Sequence, residues 1–331
     1  MNSQTKPRTR SRIKLDESHP ARLLSAKPRY ATDLGAAYVG DSLSLLKLLP
    51  SHSVSAIITS PPYALRFKKS YGNQNPDAYV EWFLKFAREF RRVLRPYGSL
   101  VLEIGGAWNP GKPTRSIYHF ELLVRLVNDA GFHLAEDLYW FNKARIPGPA
   151  EWVNVQRVRV KDAVTPIWWL SPSARPSANN RRVLTPYSPE MKRLFTNGYN
   201  KAKRPSGHVA HKFERDNGGA IPPNLIQVAH TLSNDPYQHY CRRLGLQTHP
   251  ARFPQQVPEF FVKLLTRRGG LILDPFSGSN MTGYLAQTLG RKWLAFDLEA
   301  EFVKGSLGRF LTDSKTKPLV IRGQSLTAAL R

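Results

Sequence analysis

A single cysteine, Cys241, stands in a chain of 331 residues. That scarcity excludes an intramolecular disulfide framework and any cysteine-built zinc site. No uninterrupted apolar run approaches the roughly 20 residues a membrane-spanning helix needs. The basic N-terminus lacks the apolar stretch that would make it a secretory signal. The dinucleotide pattern G-x-G-x-x-G and the phosphate loop G-x-x-x-x-G-K-[ST] are both missing. Acid is scarce as well: 24 Asp and Glu stand against 49 Lys and Arg, a formal net charge of +25. What is present is 41% hydrophobic residues, enough for a sizeable core. These features predict an intracellular protein with an anionic partner, nucleic acid first.

The positive charge is clustered. Residues 1–30 hold eight basic and two acidic side chains, show no periodicity and read as a mobile basic tail. Residues 142–215 hold fifteen basic and four acidic side chains. A generic solvated surface would mix the signs more evenly, so a polyanion-binding face explains this stretch better.

Between these regions, strand and helix patterns alternate. Strands are predicted at 36–40, 54–59, 99–104, 132–141, 166–170, 270–273 and 292–296. Helices are predicted at 43–49, 77–94, 118–130, 258–268, 281–289 and 301–310. The alternation implies an α/β layered fold with a mostly parallel sheet. From about 142 to 248 the pattern loosens and Pro, Asn, Gly and basic residues dominate.

Two strand ends carry chemistry. The turn from Asp274 through Pro275, Phe276, Ser277 and Gly278 to Ser279 leaves a buried strand and opens a helix, where backbone N–H groups can meet a ligand. The next strand ends in Asp297, an acceptor suited to ribose hydroxyls. Ser60-Pro61-Pro62-Tyr63 ends the 54–59 strand. Two prolines fix the backbone there and remove two donors while their carbonyls remain acceptors. Acceptors beside the flat Tyr63 ring suit a planar base with an exocyclic amine; a proline-rich strand stop would read the same way.

Together, Gly40-Asp41-Ser42, Ser60-Pro61-Pro62-Tyr63 and Asp274-Pro275-Phe276-Ser277-Gly278-Ser279 resemble the β class of S-adenosylmethionine-dependent DNA amino-methyltransferases. His249 to Pro254 is similar to the segment before that family's cofactor motif. The resemblance implies a Rossmann-like methyltransferase sheet built from two permuted sequence halves, a catalytic half at 31–141 and a cofactor half at 249–312. A target-recognition region lies between them at 142–248, and 313–331 is a C-terminal tail. It implies a catalytic group of Ser60, Pro61, Pro62 and Tyr63. The cofactor S-adenosylmethionine is assigned to Asp41, Phe253, Asp274, Pro275, Phe276, Gly278, Ser279, Asn280, Thr282 and Asp297. Asn280 and Met281 depart from the usual Gly and Thr; Asn tolerates a left-handed backbone better than most residues.

Serine at the first motif position is the family habit for cytosine N4, with adenine N6 as the alternative and a decayed DNA-binding homologue as another. The lone cysteine follows Tyr240 rather than a proline, which sets aside C5-cytosine chemistry. The partner implied is double-stranded DNA with the target base flipped out and Tyr63 stacked on it. Candidate DNA contacts are Arg66, Lys68, Lys69, Arg157, Arg159, Arg181, Arg182, Lys201, Lys203 and Arg204. A cognate restriction endonuclease, a monomeric or homodimeric state and a place at the nucleoid in the cytoplasm complete the expectation.

Overall fold

The structure, a computed structural model, describes residues 16–64, 75–197, 215–229 and 234–311. Among the described residues, nine strands form one sheet: β1 (Tyr30–Ala31), β2 (Gly35–Val39), β3 (Val54–Thr59), β4 (Leu94–Glu103), β5 (His133–Phe141), β6 (Val164–Ser171), β7 (Leu225–Gln227), β8 (Leu271–Asp274) and β9 (Lys292–Asp297). Their spatial order is β1-β2-β9-β8-β3-β4-β6-β5-β7. The run from β2 to β4 is parallel throughout, while β6 lies antiparallel to both β4 and β5.

The central strands carry apolar stretches, Ala56–Ile58, Leu100–Leu102, Leu271–Leu273 and Trp293–Phe296, because both faces are covered. Ile57 and Ile58 of β3 are fully buried on opposite sides. On one face pack α1 (Ser42–Lys47), α2 (Pro76–Val93) and α3 (Tyr118–Asn128). Asn75 caps α2 and Pro76 sits in its first turn, where a missing N–H costs nothing; Tyr79, Phe83, Phe86 and Phe90 then form the buried stripe. On the other face lie α6 (Gln256–Leu265) and α7 (Met281–Thr288), with Phe261, Trp293 and Phe310 in the core. Around them are α4 (Pro189–Asn197), α5 (Pro236–Arg243), α8 (Ala300–Ser306) and α9 (Gly308–Leu311).

The two halves expected from sequence meet at the β3–β8 pairing, with Ala56 opposite Ile272 and Ile57 opposite Leu273. Three features correct the sequence reading. The tail assigned to 1–30 is ordered over its described part: Ala21 and Leu24 are buried, and the Tyr30 hydroxyl bonds Ser306 Oγ at 2.7 Å. Residues 1–15 and the tail from 312 lie outside the described residues, as does the junction at 313. The boundary at 142 cuts through the sheet, because β6 pairs with β4 in its interior. The expected 301–310 helix is split at Leu307 into α8 and α9.

Candidate active site

Parallel strands deliver their C-terminal ends to one edge, and a cavity of about 590 Å³ opens there. β2 brings Asp41, β3 brings Ser60 to Tyr63, β4 brings Glu103, β8 brings Asp274 and β9 brings Asp297 to its wall. Trp82, Phe86 and Phe276 add an aromatic side, with Phe276 ring centroids 5.2 Å from Phe86 and 6.0 Å from Trp82.

Ser60 Oγ donates to Glu103 Oε2 at 2.5 Å, and Tyr63 Oη donates to Glu103 Oε1 at 2.5 Å. Glu103 is only 2% exposed, and that burial raises its pKa above the usual carboxylate range, against the two hydroxyl donors that favour its ionised form. With its hydrogen turned to Glu103, the Ser60 oxygen keeps its lone pairs for an incoming N–H. A Cβ on Gly105 would stand 2.4 Å from the Tyr63 ring, so glycine is what allows that ring its place. Glu103, which takes the hydroxyl hydrogens of both Ser60 and Tyr63, is not singled out by the sequence reading. Its signal was one acid after the apolar run Leu100-Val101-Leu102.

The glycine turn is held from behind. Asn280 adopts φ 52°, ψ 45°, caps α7 through Oδ1 on Gly283 N at 3.0 Å, and donates to Tyr30 Oη at 3.0 Å. A Cβ at Gly283 would lie 2.2 Å from that Oδ1, so the cap and the glycine require each other. Arg309, 3% exposed, donates to Ser279 O at 2.7 Å and to Ser279 Oγ at 3.0 Å, and pairs with buried Asp235 at 2.9 Å. Asn280 and Thr282, both expected to hold the cofactor, are buried under the turn and do not line the cavity, and Asn280 spends its amide on Gly283 and Tyr30.

Asp274 Oδ1 accepts from Thr59 Oγ1 at 2.7 Å and from Phe276 N at 3.2 Å. Asp297 accepts from Gly278 N at 2.7 Å and from Glu299 N at 3.0 Å. Burial pushes both carboxyls up to about 6. Asp41 caps α1, taking Ser44 N at 2.8 Å on Oδ2, and remains on the wall. Four carboxylates, Asp41, Glu103, Asp274 and Asp297, thus face two guanidiniums, Arg145 and Arg252, while burial lowers the His249 imidazole to about 4 and leaves it neutral. In a chain of +25, this cavity has the opposite sign. It fits a cofactor bearing a sulfonium and an ammonium, whose nucleoside the aromatic wall can cover.

Residues 54–307 match the model of the DNA methylase family. The chain belongs to the DNA methylase family. It is 47% identical over 292 residues to the Type II methyltransferase M.PvuII of Proteus hauseri, covering 87% of each chain. It superposes on the solved PvuII DNA methyltransferase (cytosine-N4-specific) with a TM-score of 0.73 and 39% identity, covering 93% of this chain and 94% of that one. The DNA adenine methyltransferase YhdJ of Escherichia coli (strain K12) is 21% identical over 288 residues, covering 85% and 84% of the two chains. The relatives thus include proteins named for each base.

Of the expected DNA contacts, Arg157 and Arg181 are exposed. Arg159 stacks over Trp108 with its guanidinium 4.8 Å from the ring centroid and donates to Pro113 O. Arg182 bonds Lys263 O at 3.3 Å and Thr266 O at 2.6 Å, closing the C-terminus of α6, which is a structural use of its charge. Arg66, Lys68, Lys69, Lys201, Lys203 and Arg204 lie outside the described residues. No helix among the described residues is long and apolar enough to cross a membrane.

Proposed function

We propose that the chain methylates the exocyclic N4 amine of a flipped-out cytosine in duplex DNA, with S-adenosylmethionine as methyl donor. The observation that carries this reading is the Ser60–Glu103 hydrogen bond on the wall of a negatively charged cavity. The likeness to a cytosine-N4-specific enzyme at 39% identity supports the choice of base.

A cytosine amine is a poor nucleophile because its lone pair is shared with the ring. Acceptance of its hydrogens by Ser60 Oγ and the Pro61 carbonyl favours a pyramidal nitrogen with its lone pair free. The nitrogen–methyl bond forms as the methyl–sulfur bond breaks. The surplus proton leaves the nitrogen for Ser60 Oγ while Ser60 passes its own to Glu103. Burial raises Glu103's affinity for that proton. The bound cofactor supplies an activated methyl; the protein supplies alignment, desolvation and the proton path. Asp297 and Asp41 would hold the nucleoside end, and Phe253, Pro275, Phe276, Gly278 and Ser279 the wall around it.

The basic region between 142 and 248 would face DNA. The chain would act as the modification half of a restriction system whose endonuclease cuts the same site. Incubation with labelled S-adenosylmethionine and duplex DNA, followed by nucleoside digestion and chromatography, should place the label on N4-methylcytosine. Label on N6-methyladenine would overturn the base, and label on neither would overturn the activity. Methylome sequencing of cells expressing the protein then reads out the site.

A further inference from the structure

Arg145 stands on the same cavity wall as Ser60, Tyr63 and Glu103, and sequence inspection did not single it out. It lies just beyond β5 in a turn closed by its own N–H on Asn142 O at 3.0 Å. Asn142 N is tied in turn to Ala163 O at 2.8 Å. The guanidinium is aimed by Nη1 donating to Thr165 Oγ1 at 3.2 Å, and Thr165, in β6, is 2% exposed. Its positive charge acts on both Glu103 and Tyr63, favouring their ionised forms. A guanidinium carries five N–H donors in a rigid fork, and the Thr165 bond uses one.

The chemistry of the two candidate bases differs next to the amine. Beyond N4, cytosine presents N3 and then O2, two acceptors on one edge. Beyond N6, adenine presents N1 and then a C–H. Resting on the cytosine reading above, we propose that Arg145 is the base-choosing residue, its fork donating to N3 and O2 of the flipped cytosine while Ser60 and Pro61 hold N4. A site built to bond two acceptors rejects a base that offers one, since a buried donor is then left unpaired. The same guanidinium supplies charge beside Glu103, so the base edge and the proton acceptor share one cation.

The test compares the full-length protein with Arg145→Met and Arg145→Lys on duplexes carrying the methylated site, with either cytosine or 3-deazacytosine at the target. The latter keeps N4 and O2 and replaces N3 by C–H. With cytosine, Arg145→Met should lower kcat/KM by roughly ten- to a hundredfold, the worth of one bidentate arginine–base pair, and Arg145→Lys by less. With 3-deazacytosine, which keeps only the O2 contact, the loss caused by Arg145→Met should be several-fold smaller than with cytosine. S-adenosylmethionine affinity by calorimetry should be unchanged in both variants, which separates this role from misfolding. An equal loss on both duplexes would overturn the proposal. So would a fall in DNA affinity accompanied by a log–log salt slope smaller by about 0.9, the mark of a phosphate contact. Cytosine labelling by an Arg145→Met protein at wild-type rate overturns this inference alone; adenine labelling by the wild type overturns the cytosine reading and this inference with it.

Discussion

The cavity and the flank of this methylase carry opposite charge and handle it in opposite ways. At the sheet edge, four carboxylates gather at strand ends in a partly buried space, each held by hydroxyl or backbone donors. Across 142–215, fifteen basic side chains outnumber four acidic ones, and Arg157 and Arg181 stand in solvent. Buried charge is weakly screened and fixed in place, so it can select a small cation. Exposed charge is strongly screened and mobile, so it suits a long polyanion approached from any register. On the proposed reading, one chain would attract a cationic cofactor and anionic DNA at separate places.

Salt should separate the two regions most widely. Between 50 and 200 mM salt, DNA affinity should fall by about a thousandfold or more if six or more phosphates are contacted. S-adenosylmethionine affinity should move by less than about threefold over the same range. Filter binding and calorimetry on one preparation check this; equal slopes would erase the comparison.

Within the cavity, the catalytic and cofactor ends should also come apart. Ser60→Ala and Glu103→Gln should each reduce turnover by about 10² or more while cofactor affinity stays nearly intact, measured by single-turnover kinetics beside calorimetry. Full turnover in Ser60→Ala would remove the proton path. Asp297→Asn should do the reverse, weakening cofactor binding by about ten- to a hundredfold with a smaller effect on turnover at saturation.

The smallest effect is set by pH. Asp274 and Asp297 are raised from the model-peptide value to about 6, so in the free protein their ionisation opposes folding as pH climbs from about 4 to 6. A cationic cofactor prefers the ionised pair. Its dissociation constant should therefore tighten as pH rises towards 7, by up to about tenfold per pH unit below 6 for each carboxyl that must ionise. Calorimetry in buffers of different ionisation enthalpy should detect proton release on binding at pH 5.5. A flat profile would mean that neither carboxyl meets the cofactor's charge.

The contiguous parts of the site were legible in the chain. Ser60 to Tyr63 and Asp274 to Ser279 are short runs in which turn geometry and chemistry coincide, and the strands before them are mostly apolar. The helix α5 had its signals too, with Asp235 as cap and Pro236 in the first turn, but a short helix in a polar stretch does not stand out. Strand β1 is two residues long and leaves no periodicity to find. Glu103 and Arg145 escaped for another reason: each looks ordinary beside its sequence neighbours. Ser60 meets Glu103 across 43 positions and Arg145 meets Thr165 across 20, contacts that exist only once β3, β4, β5 and β6 are aligned.

The order of patterns along the chain determined the layered fold, the permuted halves, the two motif-bearing strand ends and the charge that calls for DNA. All of these follow from local propensity, hydrophobic period and composition, which are properties of neighbouring residues. Tertiary structure decided which carboxylate Ser60 addresses, that Asn280 turns its amide to Gly283 and Tyr30, that Arg182 closes a helix, and that a protein of +25 encloses a cavity of the opposite sign. Those outcomes depend on which strand ends lie side by side and how deeply each charge is buried, and pairing and burial are set by the whole sheet.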